Sequence, residues 1–139
     1  MPTKQWQMQL RSEPKNITQI EPLIEEIKKV LRLSDDDEGT LGIALSEAVN
    51  NAILHGNNSQ PDKLVKININ HLNGKLMITV MDEGIGFTDD SKVDPTDPEN
   101  LLKTSGRGLF LMRQMMQNVA VTSTDEGTTL TMEMTINAS

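Results

Sequence analysis

Residues 65–86 read VKININHLNGKLMITVMDEGIG, and Asn73-Gly74 sits near their centre. An Asn-Gly pair between alternating apolar residues is the strongest short signal for a two-residue hairpin turn, because both residues tolerate the positive φ that a type I′ turn demands. Closing the chain there sets Ile69 opposite Ile78 and Ile67 opposite Val80. Turn chemistry and hydrophobic pattern therefore select the same register, and a slip of one residue would turn every apolar side chain towards water. The prediction is an antiparallel pair with one apolar and one wetter face. Its second strand runs straight into Met81-Asp82-Glu83-Gly84-Ile85-Gly86-Phe87, where the glycines end it.

Upstream, Gln5 to Arg11 alternates polar and apolar, with Trp6, Met8 and Leu10 on one side, as a half-buried strand does. Ile20, Leu23, Ile24, Ile27 and Leu31 form a single helical stripe, with Asn16 or Thr18 as its expected cap. Pro22 fits only in the first turn of that helix. Ser34 and the acidic run Asp35-Asp36-Asp37-Glu38 read as a cap and a first turn that complements the helix dipole. A second helix then carries Leu41, Ala44, Leu45, Ala48 and Ala52 on its buried stripe, with Glu47, Asn51 and His55 in a row along one flank and Asn50 on the solvent side.

Downstream, residues 88–105 are polar and broken by Pro95 and Pro98. A segment of that length in a compact domain is usually a functional lid or disordered. Gly106-Arg107-Gly108 opens a third helix, with Met112, Met115, Met116 and Val119 at i, i+3, i+4 and i+7. Strands near 119–124 and 128–136 flank Glu126-Gly127, a turn that would pair Val121 with Met132 and Val119 with Met134. The expected order is β-α-α-β-β-lid-α-β-β. This describes an α/β two-layer sandwich: a mixed, mainly antiparallel β-sheet with helices on one face.

Composition narrows the chemistry. The 139 residues suffice for one domain that buries roughly two-thirds of its unfolded surface. Without cysteine there is no disulfide frame, thiolate nucleophile, iron–sulfur cluster or Cys-based zinc site. A net charge of −7 repels nucleic acid and anionic lipid at long range, and Trp6, Phe87 and Phe110 are too few to stack a single strand. The longest apolar run, Leu109 to Met112, is too short to span a membrane. The opening MPTKQWQMQLRSEP has no apolar signal region, so a cytoplasmic protein without direct nucleic-acid or membrane contact is expected.

Three segments carry candidate chemistry. Glu47 and Asn51 are four apart on a helix and point the same way. A glutamate there can take a proton from a hydroxyl, and an asparagine oxygen suits a magnesium ion whose other ligands are phosphates. Asp82, directly after a strand, can accept from an exocyclic amine, while Gly84 and Gly86 allow a ligand close to the backbone. Ser105-Gly106-Arg107-Gly108 enters a helix whose free amides form an anion site. Neither a P-loop nor a dinucleotide fingerprint is present. Each segment alone also fits a turn or a core edge.

In this order and spacing, SEAVNNAILHGN (46–57), VMDEGIGF (80–87), DPTDPENLLKTSGRGLFLMRQMM (94–116) and GTTLTMEMTI (127–136) together resemble the GHKL, or Bergerat-fold, ATPase superfamily. Within it, they resemble the anti-sigma factor serine/threonine kinases over roughly residues 4–137. The resemblance implies one ATP-binding kinase domain over 1–139 with an ATP lid at about 88–105. It assigns Glu47 as general base, Asn51 as Mg²⁺ ligand and Asp82 as the acceptor for the adenine amine, with Gly84 and Gly86 shaping that pocket. Gly106 and Gly108 would offer amides to the phosphates beside Ser105, and Thr128 would place a hydroxyl near the nucleotide. Some members carry an arginine where this chain has Thr104; Lys103 and Arg107 are the two cations that could serve the terminal phosphate instead. The implied cofactors are ATP and Mg²⁺. The implied activity is transfer of phosphate to a serine of an anti-sigma-factor antagonist by a protein that also binds a sigma factor. The alternatives are a nucleotide-gated interaction module without turnover, or a related kinase of a stress-sensing complex that does not bind sigma. The resemblance also implies a homodimer, for which the edge of the first strand is a plausible contact.

Overall fold

A computed structural model describes residues 4–83 and 108–136. Its sheet has five strands: β1 (Lys4–Arg11), β2 (Leu64–Leu72), β3 (Lys75–Met81), β4 (Gln117–Thr124) and β5 (Gly127–Thr135). They lie in the order β1-β2-β3-β5-β4, and all four described ladders are antiparallel. The parallel component of the expected mixed sheet is therefore not among them. The hairpin closes as the pattern dictates, with Ile69 opposite Ile78, Ile67 opposite Val80, and Asn73 and Gly74 at φ of 54° and 77°.

Three helices cover one face: α1 (Ile20–Leu31), α2 (Asp35–Asn51) and α3 (Gly108–Met115). The stripes that predicted α1 and α2 are buried over their whole length, and they pack on Ile67, Ile69, Ile78 and Val80 of the sheet in one core. Met112 and Met116 enter the same core, where their unbranched side chains fill irregular space.

Helix ends show where side chains had a choice. Ser34 caps α2 as expected, its Oγ accepting from the Asp37 amide at 3.0 Å. The acidic run does more than face a dipole. Lys28 Nζ on α1 reaches Glu38 Oε1 at 2.7 Å and Asp35 Oδ1 at 3.0 Å, tying the two helices. The hydrogen bond to Glu38, and then that to Asp35, raise the Lys28 ammonium above its ordinary value.

Neither Asn16 nor Thr18 caps α1, because a 3₁₀ turn at Pro14–Gln19 precedes that helix. Asn16 Nδ2 instead donates to the Arg11 carbonyl, and Thr18 Oγ1 donates to that of Lys15. Pro22 does lie in the first turn.

The C-terminal hairpin corrects two expectations. Met112 and Met115 are on α3, but the helix stops at Met115 and Val119 belongs to β4. Asn118 adopts a φ of 52°, and the β4–β5 register shifts between Gln117 and Ala120. The turn residues are Asp125-Glu126, with Thr124 Oγ1 accepting from the Glu126 amide at 3.1 Å. Val121 therefore opposes Leu130 rather than Met132. The error is two residues, so each side chain keeps its face, which is why the apolar pattern alone could not detect it. The expected lid at 88–105, together with Gly84, Gly86, Lys103, Ser105, Gly106 and Arg107, lies outside the described residues.

Gly127 begins β5. It sits at a φ of +145°, and a Cβ there would collide with the Asp82 carbonyl. Gly74 also has positive φ, but nothing lies within 4 Å of its Cβ position. Gly74→Ala should therefore cost about 1–2 kcal/mol in urea unfolding, the usual penalty for a left-handed residue. Gly127→Ala should cost at least about twice that or prevent folding, because the obstacle is backbone. Equal losses would show that the contact with Asp82 carries no weight.

Candidate functional site

The site forms where α2 ends beside the end of β3. Past Asn51 the helix widens into a π turn at Ala52–Gly56, closed by the Asn57 amide on the Ala52 carbonyl at 2.8 Å. Such single-turn widenings recur at functional sites, where they re-aim the residues that follow. His55, expected in a row with Glu47 and Asn51, falls on this π turn and is exposed. Glu47 and Asn51 stay on regular helix and are half-buried. Among the described residues no hydrogen bond or ion pair engages either side chain, so an intrahelical bond at the core edge does not account for them.

The turn also brings Gly56 beneath Asp82. A Cβ at Gly56 would collide with the Asp82 carboxylate. On its other side Asp82 is braced by β5: its amide donates to the Thr128 carbonyl at 2.9 Å, and its Oδ1 accepts from the Thr128 amide at 3.2 Å. An ionised carboxylate accepts at several lone pairs, so this brace is compatible with a ligand amine at the same group. Thr128, whose hydroxyl the resemblance placed near a nucleotide, is thus beside Asp82, and that hydroxyl shares a 3.1 Å hydrogen bond with Ser123 Oγ on β4.

Sequence reading missed a buried polar joint next to this corner. Asn57 and Ser12 are 1% and 0% exposed, the buried polar side chains among the described residues. Asn57 Oδ1 accepts from the Glu83 amide at 2.8 Å, while its Nδ2 donates to Ser12 Oγ at 2.8 Å and to the Leu64 carbonyl at 3.0 Å. Glu83 closes the ring by accepting from the Leu64 amide. Nothing in the spacing marked Asn57 above the neighbouring Asn58, and only its position just after His55-Gly56 offered a signal.

The described residues therefore bring together the first two predicted segments and Thr128. Of the third segment, only Gly108 is among the described residues; it stands at the start of α3, which packs against α2. No cluster of three His, Cys, Asp or Glu that could hold a metal occurs among the described residues. One neutral asparagine oxygen fits a magnesium ion delivered by phosphates rather than one caged by protein. No described helix is long and apolar enough to cross a membrane.

Residues 10–134 match the family described as the histidine kinase-like ATPase domain. Among curated proteins, the chain is 35% identical over 118 residues to an anti-sigma F factor of Priestia megaterium, with 82% of this chain and 73% of that protein aligned. It is 33% identical over 126 residues to an anti-sigma F factor of Clostridium botulinum, covering 87% and 79% respectively. Among solved structures, it is similar to the RsbU and RsbW domains of a Mycobacterium tuberculosis protein, with a TM-score of 0.65 and 16% identity. That superposition covers 97% of this chain but only 32% of the other, so this chain spans about a third of that structure. The matched residues run through the α2 flank, the Asp82 corner and β5, and the chain belongs to the histidine kinase-like ATPase domain family, within the GHKL superfamily.

Proposed function

We propose that this chain is an ATP- and Mg²⁺-dependent protein serine kinase of the anti-sigma factor type, acting in the cytoplasm. It would hold a sigma factor and phosphorylate a serine of that factor's antagonist. The observation that carries the reading is the seating of Asp82 on Gly56, which puts a carboxylate at the end of the helix that bears the unengaged Glu47 and Asn51. Names of the relatives support the partner class: proteins a third identical over most of the chain are anti-sigma F factors.

In this mechanism Asp82 would accept from the adenine amine, and Asn51 would hold a Mg²⁺ that supplies positive charge to the phosphates. Glu47 takes the proton of the substrate serine as its oxygen attacks the terminal phosphorus. The bond from that phosphorus to the bridging oxygen breaks, and ADP leaves. Positioning and charge neutralisation supply most of the rate in phosphoryl transfer. A net charge of −7 is no obstacle, because the metal and local amides neutralise the phosphates.

The adenine assignment predicts base selectivity. Guanine presents an oxygen where adenine presents an amine, so Mg·GTP should compete poorly with Mg·ATP. Asp82→Ala should weaken ATP binding by roughly 1.5–3 kcal/mol, the weight of a charged hydrogen bond in a pocket. Equal calorimetric affinities for ATP and GTP in the wild-type protein would refute it.

The two residues on the α2 flank have different tasks, and their variants should separate. Asn51→Ala should lower Mg·ATP affinity and phosphorylation together. Glu47→Ala should leave ATP binding nearly intact while slowing single-turnover phosphorylation of the antagonist by about 10²–10⁴-fold. Wild-type transfer by Glu47→Ala would remove it as the base. Failure of the unaltered protein to phosphorylate any candidate antagonist would favour a nucleotide-gated interaction module.

A further inference from the structure

We infer that Asn57 is a positioning residue for purine selectivity, acting through the backbone that aims Asp82. The inference rests on the reading of Asp82 as the acceptor for the purine amine.

Both ends of the Asn57 carboxamide are committed. An amide N–H faces its oxygen, and a hydroxyl and a carbonyl face its nitrogen, so the group has one orientation. The bond that matters is the one to the Glu83 amide at 2.8 Å, one residue beyond Asp82. The Asp82 amide is already held by the Thr128 carbonyl at 2.9 Å. The two amides flanking the Asp82 Cα are thus fixed from opposite sides, one by β5 and one by Asn57. With both fixed, the Cα–Cβ direction of Asp82 is set, and the Thr128 amide on its Oδ1 at 3.2 Å then holds the carboxylate.

Asn57 is itself anchored. Ser12 Oγ receives its Nδ2–H and donates onward to the Lys63 carbonyl at 2.8 Å, tying the joint to the residue just after β1. At 1% exposure, water cannot replace the asparagine without entering the core. Removing it leaves a part-buried amide at Glu83 and a carbonyl at Leu64 short of a partner, and the Asp82–Glu83 peptide gains freedom to turn. Recognition of a donor by a carboxylate depends steeply on direction. Affinity for the phosphates, which the Asn51 flank and the α3 end would serve, does not pass through this peptide.

A residue that only held the joint together would lower stability and leave base preference alone. The test therefore reads a ratio. Calorimetric affinities for Mg·ATP and Mg·GTP are measured on the full chain for wild type, Asn57→Ala, Asp82→Ala and two controls, at a temperature where circular dichroism shows each folded. The controls are Ile27→Ala and Leu31→Ala, both core truncations in α1. Asn57→Ala should lose about tenfold in ATP affinity with little change for GTP, the loss expected of one well-aimed hydrogen bond in a pocket. Both controls should melt earlier yet keep the wild-type preference. If Asn57→Ala does not fold, Asn57→Ser, whose hydroxyl is on a shorter side chain, takes its place and the same ratio decides. Wild-type preference in the Asn57 variant beside lost preference in Asp82→Ala overturns this inference while the base assignment stands. Indifference to the base in wild type and Asp82→Ala alike removes the assignment and this inference with it.

Discussion

No side chain fits between Asp82 and the two backbones that enclose it. Gly56 at the end of the π turn and Gly127 at the start of β5 both lack a Cβ at a point where one would strike Asp82, on its carboxylate and its carbonyl respectively. This close approach joins the helical layer to the sheet at one end of the molecule. It fixes how far α2 runs, why it widens over its last turn, and where β5 must begin to pair with β3. A contact this tight tolerates no compromise in register, because interiors are packed to crystal density and respond to single methylene changes.

Stability and recognition are separated in space. The apolar stripes of α1 and α2 and the inner face of the hairpin build the core, which is insensitive to what binds at its end. The polar groups that could meet a ligand stand at the rim: Glu47 and Asn51 on the α2 flank, and Asp82 just past β3. Between core and rim lies the Asn57–Ser12 joint, polar yet buried. Such a network is costly unless every member is paired, and among the described residues no buried side-chain polar atom lacks a partner. A satisfied network of this kind is stiff, and stiffness is what a directional acceptor such as a carboxylate needs.

Charge works locally rather than globally. The chain carries −7, yet among the described residues the candidate site combines the neutral oxygen of Asn51 with only two carboxylates, Glu47 and Asp82. Net charge governs long-range encounter, whereas binding of a polyphosphate depends on the metal and on the dipoles within a few ångströms. An acidic protein that repels nucleic acid can therefore still bind a nucleotide.

The sequence by itself determined the layers. Alternation in residues 5–11, 65–72 and 75–81 and the stripes through Ile27 and Leu45 recur every two or 3.6 residues, and burial of apolar surface acts on exactly those periods. Asn73-Gly74 set the hairpin register because turn and pattern agreed. The directions of Glu47, Asn51 and Asp82 were legible because helix spacing and strand ends act locally, whereas their candidate roles came from the resemblance of the combined motifs. Only the tertiary structure decided the rest. The β4–β5 register differs by two residues from the alternation's choice, a shift that hydrophobic alternation does not sense, because the turn falls at Asp125-Glu126. His55 fell on a π turn instead of the regular helix that its spacing assumed. Asn57 became a buried joint through partners seven to forty-five residues away, at Ser12, Leu64 and Glu83. Long-range hydrogen bonds leave no period in a sequence, so an asparagine that holds a site together reads the same as one in a surface turn until the chain is folded.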